Sequence, residues 1–202
     1  QGDWSSDVCS SDPELQPLKQ PTLVIWTTTP WTLPANLGVS MNGTFDYVAY
    51  EVGDETLIVA EGLLEAFLKD AQVSGGRPVG VFPGTLFDKL HCMHPVFPEK
   101  TALVMLGDHV TLDAGTGCVH TAPAHGVEDF EIGMRYGLEV FNPVDERGCF
   151  NDLYPEMKGV SVVKVDDTVS KWTSKANALL IEKFRREGTL VHQGKLTHSY
   201  PY

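Results

Sequence analysis

The sequence predicts an α+β domain built round a curved or barrel-like sheet, with two or three flanking helices. Three observations point there: many short β-branched runs, only two or three stretches with helical spacing, and no regular strand–helix alternation. The chain has 202 residues, room for one large domain or a domain with a short appendage. A composition that is 42% hydrophobic and 21% charged can fill a sizeable core.

Residues 1–17, "QGDWSSDVCSSDPELQP", repeat Ser-Ser-Asp and show no helical or strand period, so they read as a non-native or disordered leader to the domain at 18–202. Val24 to Thr28 has the β-branched enrichment of a buried strand, ended by Pro30. "FDYVAYEV" and "TLIVA" flank Gly53-Asp54 and predict a hairpin. "EGLLEAFLKDA" sets Leu63, Leu64, Phe67 and Leu68 on one helical face. "PVGVFPGTLFDKL" reads as strand, turn and strand about Pro83-Gly84, and "TALVML" as another strand. "GVEDFEIGMRYG" predicts a short helix capped by Gly137. From Asp167 to Arg186 an amphipathic helix puts Val169, Trp172, Ala176, Leu179, Leu180 and Phe184 inward. Gly188 stops it, and "TLVHQG" returns as a strand.

Composition narrows the function. The formal charge of -12, or -8 without the leader's four acidic residues, argues against wrapping a long nucleic acid but allows a few nucleotides to be held. No apolar run reaches the ~20 residues a membrane span needs. Cys9, Cys92, Cys118 and Cys149 are scattered without a CxxC pair, which fits a reducing, cytoplasmic setting. "HCMH" (His91, Cys92, His94) tempts a metal reading, but no second ligand pair follows and a surface turn fits better, so no metal and no cofactor are expected. The missing initiator methionine and the ending at Tyr202 read as a fragment.

Two segments could carry chemistry. In "LVIWTTTPWTLPAN" a strand would turn Thr27 and Thr29 to one side and Thr28 to the other, making a small, polar-edged wall that Pro30 and Pro34 stiffen. Taken alone, the run is better explained by β-propensity and a turn. In "GTGCVHTAPAHGVEDF", Gly115 and Gly117 permit close backbone approach, His120 follows on a strand, and Ala124-His125 leads into a helix carrying Asp129 in its first turn. Singly, Asp129 is accounted for by the helix dipole, at about 0.3–1 kcal/mol, and each histidine by a structural hydrogen bond. Together they describe a ligand pocket.

"WTTTPWTLPAN" joined to "GTGCVHTAPAHGVEDF" resembles the editing domain of isoleucyl-tRNA synthetases of bacterial type, over about residues 20–202. "LGDHVTLDAGTG" and the terminal "HSYP" fit the same family. Where the sister valine and leucine editing domains carry an arginine after two threonines, this chain has Thr29. The resemblance implies a hydrolase that cleaves valine from mischarged isoleucine tRNA. One methylene in an apolar pocket discriminates by only about 1–3 kcal/mol, a limit for which isoleucine against valine is the standard illustration, so a second, smaller site must remove the errors. By resemblance, Asp129 binds the α-ammonium of the misattached amino acid. Thr27, Thr28 and Thr29 hold the terminal adenosine and the aminoacyl group, and His120 lies near the substrate side chain. Thr32 and Asn36 support that wall, and His125 shapes the loop. Implied partners are the 3' acceptor end of the tRNA and the catalytic core of a parent synthetase. Neither an HIGH-like nor a KMSKS-like signature is present, so no ATP site is expected in this piece. A pure acceptor-end binding module, an editor acting in trans, and a metal hydrolase using His91, His94, His120 and His125 are the rival readings.

Overall fold

The computed structural model of the chain describes residues 13–163 and 174–194. Strands β1 (Pro21–Leu23), β4 (Glu55–Ala60), β3 (Asp46–Val52) and β5 (Arg77–Pro83) form one four-stranded sheet in that spatial order. A second sheet runs β6 (His91–Met93), β7 (Thr101–Leu106), β2 (Gly38–Met41), β8 (Val119–Thr121). Helices are few: α1 (Leu64–Asp70), α2 (Val127–Arg135) and α3 (Lys175–Glu187). The α+β class stands, but among the described residues the sheets are two separate layers and not a closed barrel.

The hairpin forms where the Gly-Asp turn predicts it. Gly53 takes φ 63, a left-handed conformation that costs glycine nothing, and Tyr47 pairs with Ala60 through to Val52 with Glu55. Both faces of the hairpin are covered along much of its length, since Val48 and Val59 are buried as well as the residues on either side of them. Tyr47, Ala49, Ile58 and Ala60 are wholly inaccessible and join Leu23, Val39, Met41, Phe87 and Val104 in one core. Each large apolar side chain there contributes about 1.5–3 kcal/mol of transfer free energy. Gly188 ends α3 with φ 75 as expected, and Ser174 begins it by accepting Asn177 N–H at 3.1 Å. Ala176, Leu180 and Phe184 turn inward, packing with Leu33, Phe150 and Tyr154 in a second core.

Several local expectations need correction. The segment read as a strand over 24–28 is regular only at Pro21–Leu23. Beyond it Trp26 alone bridges, to Val119, because the approaching prolines impose a 3-10 turn at Pro30–Ala35. The piece after Pro83 is a 3-10 turn, Gly84–Phe87, and not a strand. Residues 189–194 form no strand. "HCMH" is no surface turn: it contains β6, with Cys92 buried and His94 buried beside it. The core also reaches into the supposed leader, since Leu15 is 2% exposed and packs with the main cluster. Residues 1–12, the first half of the predicted 167–186 helix with Val169 and Trp172, and "HSYP" lie outside the described residues.

Candidate functional site

The two motif segments meet along β8. On one side β8 pairs antiparallel with β2, placing His120 opposite Val39. On the other, Trp26 donates its N–H to Cys118 O (2.8 Å) and receives the N–H of His120 on its own carbonyl (3.1 Å). The threonine run therefore leaves the sheet beside the histidine strand.

His120 is the junction, buried at 6% exposure. The Asn36 amide nitrogen lies 2.9 Å from Gly38 O, which must accept, so Asn36 presents N–H and not oxygen to the ring. His120 Nδ1, 2.7 Å away, accepts that second N–H. Nε2 thus carries the proton and donates to Thr32 Oγ1 (2.9 Å), which in turn donates to Thr29 O (2.8 Å). Burial, reinforced by neighbouring His94 and His125, pushes the imidazole pKa down to about 3. The ring is a neutral, fully satisfied pillar, and only its faces and edge remain to meet a ligand.

The threonines cap one another. Thr29 N–H donates to Thr27 Oγ1 (3.0 Å), and the Thr28 and Thr29 hydroxyls share a bond of 3.3 Å. Thr28 is exposed, while Thr27 and Thr29 are half-buried. Behind them Trp31 N–H is held by Asn177 Oδ1 of α3 at 2.8 Å.

Across β8, Asp129 sits in the first turn of α2. Its Oδ2 accepts Ala122 N–H at 2.7 Å and closes the Ala122–Asp129 loop, so it does more than offset a helix dipole. Among the described residues Oδ1 takes no protein hydrogen bond, and the carboxylate is half-buried. Burial pushes its pKa up, and the Ala122 N–H opposes that. Ala124 lies half-buried in the turn, where His125 N–H reaches Ala122 O (2.8 Å). The His125 ring meets Trp31 edge-on at 4.9 Å, tying the loop to the threonine segment, and burial lowers its pKa.

The structure accounts for Gly115 and Gly117 without a ligand. Both have left-handed φ (86 and 79), and the space a Cβ would need is taken by Trp26 at 2.7 Å and by Ala60 at 2.5 Å. The expected close approach is therefore to the protein itself. Likewise Cys92 Sγ donates to Ala102 O, and His94 Nδ1 accepts from Val96 and Phe97 N–H (2.9 and 3.1 Å). Of the rival metal set, His94 and His125 neighbour His120, yet among the described residues no three His, Cys, Asp or Glu side chains are grouped to hold a metal ion, and both ring nitrogens of His120 already have protein partners. Trp26, Trp31 and Asn177 were not marked by sequence reasoning. The two tryptophans stood inside the motif, whereas nothing in the sequence pairs Asn177 with residue 31.

Two hollows lie elsewhere. One, of about 570 Å³, is lined by Asp88, Lys89, His91, Leu103, Arg135 and Tyr136. Another, of about 150 Å³, sits between Gly107–His109 and the Glu128/Glu131 face of α2. Neither joins the threonines to Asp129.

Comparison with known proteins agrees with the motif reading. No family model matches the chain. It is 47% identical over 184 residues to the isoleucine--tRNA ligase of Geobacter sulfurreducens, 91% of this chain and 18% of that protein. It is 46% identical over 181 residues to the corresponding ligase of Saccharophagus degradans, with 90% and 18% covered. The chain thus spans less than a fifth of these relatives. Among solved structures, the P. knowlesi cytosolic leucyl-tRNA synthetase editing domain matches with a TM-score of 0.58 at 11% identity, covering 90% of this chain and 86% of that one. The domain solved as GlLeuRS-CP1 gives 0.58 at 15%, covering 90% and 85%. At such identities the likeness concerns the fold.

Proposed function

We propose that the chain is an editing domain of the isoleucyl-tRNA synthetase kind and that it hydrolyses the ester of valine misattached to isoleucine tRNA. The observation that supports this reading is the Thr32–His120–Asn36 junction. It fixes the threonine run to the strand whose following helix, α2, carries a carboxylate with one oxygen unused.

A cationic α-ammonium would bind Asp129 Oδ1 as a charge-assisted contact, selecting an aminoacyl ester over a plain one. The Thr27, Thr28 and Thr29 hydroxyls would position the ester and the water that attacks its carbonyl carbon. The carbon–ribose oxygen bond breaks, one proton of the water goes to the departing ribose oxygen and the other to solvent, and valine leaves as a free carboxylate. His120, already neutral and fixed, gives the pocket a wall that cannot yield to a larger side chain. The rest of such an enzyme would supply ATP-dependent ligation and most of the grip on tRNA in the cytoplasm.

Deacylation of Val-tRNA(Ile) and Ile-tRNA(Ile) by the purified chain tests this: valine should be released and isoleucine retained. Asp129→Ala should lower kcat/KM for valine release by roughly tenfold to a hundredfold, the worth of about 1.5–3 kcal/mol for a charged hydrogen bond, with the fold intact. Equal cleavage of both esters, or an unaffected Asp129→Ala variant, would refute the assignment.

A further inference from the structure

We propose that the cleft between the end of α2 and the β6–β7 strands binds phosphodiesters of the tRNA acceptor strand. The proposal rests on the deacylase reading and adds a place for the strand outside the hydrolytic site.

The cleft brings two cations together in an acidic chain. Lys89 and Arg135 both line it, both are exposed, and among the described residues neither belongs to an ion pair. Among the described residues Lys19, Arg77, Lys158 and Lys183 have acidic partners while other exposed cations such as Lys69 and Arg147 do not, so what marks the cleft is that two cations share one hollow. Two cations left unpaired beside one hollow are suited to an anion from outside.

The backbone at Lys89 is held in a conformation lysine disfavours. Its φ is 63, one of three left-handed non-glycine residues among those described, a conformation that persists only where the surroundings impose it. Lys89 N–H to Val104 O (3.0 Å) and Val104 N–H to Leu90 O (2.7 Å) impose it here. The cleft's one carboxylate is already engaged. Asp88 Oδ1 accepts the Tyr136 hydroxyl at 2.7 Å, and that hydroxyl accepts Leu106 N–H at 3.0 Å. This link braces the end of α2 against the strands, so Lys89 and Arg135 stand on fixed supports.

α2 gives the cleft its relation to the hydrolytic site. Asp129 lies near its start and Arg135 ends it, six residues or about 9 Å of helix rise away. A strand whose terminal ester is held at Asp129 can therefore lay preceding phosphates over Lys89 and Arg135. Point charges without base readout suit an acceptor end. Inorganic phosphate offers the same chemistry, and the test separates the two.

The double variant Lys89→Gln/Arg135→Gln is compared with the unsubstituted chain and with a surface control, Lys69→Gln/Arg147→Gln. Tryptophan fluorescence titration with uncharged tRNA(Ile), over a salt series starting at low salt, reads binding whether or not the chain hydrolyses anything. The cleft variant should bind at least fivefold more weakly at low salt, with a log Kd–log salt slope shallower by one to two. The control should stay within twofold. With Val-tRNA(Ile), KM should rise while kcat holds, and cleavage of valyl-adenosine, which lacks the preceding phosphates, should not change. Millimolar inorganic phosphate should not match the tRNA's effect. No binding by the unsubstituted chain, equal slopes for cleft variant and control, or displacement of tRNA by phosphate alone would each overturn the proposal. Failure of every chain to cleave valyl-adenosine would instead overturn the deacylase reading, leaving the tRNA titration to decide this one.

Discussion

Acidification should unlock the junction at His120, and by an amount that can be worked out. The folded ring accepts its proton only near pH 3, whereas an exposed imidazole does so near 6.5. Its pKa is lowered by folding, so the unfolded chain binds more protons between these values and stability falls as pH falls. The contribution is complete above pH 6.5. At about 1.36 kcal/mol per pH unit, roughly 2 kcal/mol is lost by pH 5.0, and the loss continues toward pH 3. Geometry supplies the cause: a proton on Nδ1 would face the Asn36 N–H, which Gly38 O keeps in place. Turning the amide over would set Asn36 Oδ1 against the Gly38 carbonyl instead.

Other groups titrate in the same window. His94, lowered to about 4 by burial and by Lys100, loses a similar amount on acidification. Asp129, raised by burial, works the other way. The quantity to measure is therefore a difference. Urea unfolding of the unsubstituted chain and of His120→Gln, at pH 7.5 and at pH 5.0, isolates the one imidazole. The stability gap between the two proteins should narrow by about 2 kcal/mol on acidification. A gap that is the same at both pH values, or an imidazole found by NMR to titrate near 6.5, would show that His120 is neither buried nor locked as described.

Three further substitutions probe the supports of the site. Gly117→Ala should destabilise the chain by about 2–4 kcal/mol in urea unfolding, because the new Cβ lies 2.5 Å from Ala60 Cβ at a φ of 79. Thr56→Val should raise stability by about 1 kcal/mol, since the Thr56 hydroxyl is buried with no partner and valine keeps the shape in β4. Asn177→Ala removes the acceptor of Trp31 N–H; it should cost about 1 kcal/mol in thermal unfolding and weaken Val-tRNA(Ile) turnover by loosening the turn behind the threonines.

What the sequence disclosed depended on the distance over which each cause acts. The β3–β4 hairpin, α2 with its Gly137 stop and the end of α3 at Gly188 are decided by neighbours a few residues away, and they were legible. The run from Val24 was misjudged because β-branched residues mark strand preference, while Trp26 found only a single bridge before the prolines took over. "TLVHQG" failed likewise: a strand needs a partner edge, and none is supplied there among the described residues. The candidate residues stand in two quotable motifs, yet the relations between them do not. That His120 binds Thr32 and Asn36, 88 and 84 positions away, follows only from the pairing of β8 with β2 and with Trp26.

Those relations bear on how the proposed site would hydrolyse an ester without a nucleophile of its own. Cys118, inside the motif, is wholly buried with its thiol pushed far up by that burial, so no thiolate forms near neutral pH. His120 spends both ring nitrogens on the protein and stays neutral throughout the physiological range, so it is not a free base. What remains is a hydroxyl cluster, a carboxylate with one open oxygen, and a rigid frame joining them. Such a set can hold an aminoacyl ester and a water in register but has little to offer as covalent chemistry. An aminoacyl ester is already activated, so holding is the larger part of what its hydrolysis needs. Under the proposed function, a side chain one methylene too large would lose rate by displacing the ester from that register. On this view selectivity and catalysis share one physical origin, the stiffness of the frame around His120.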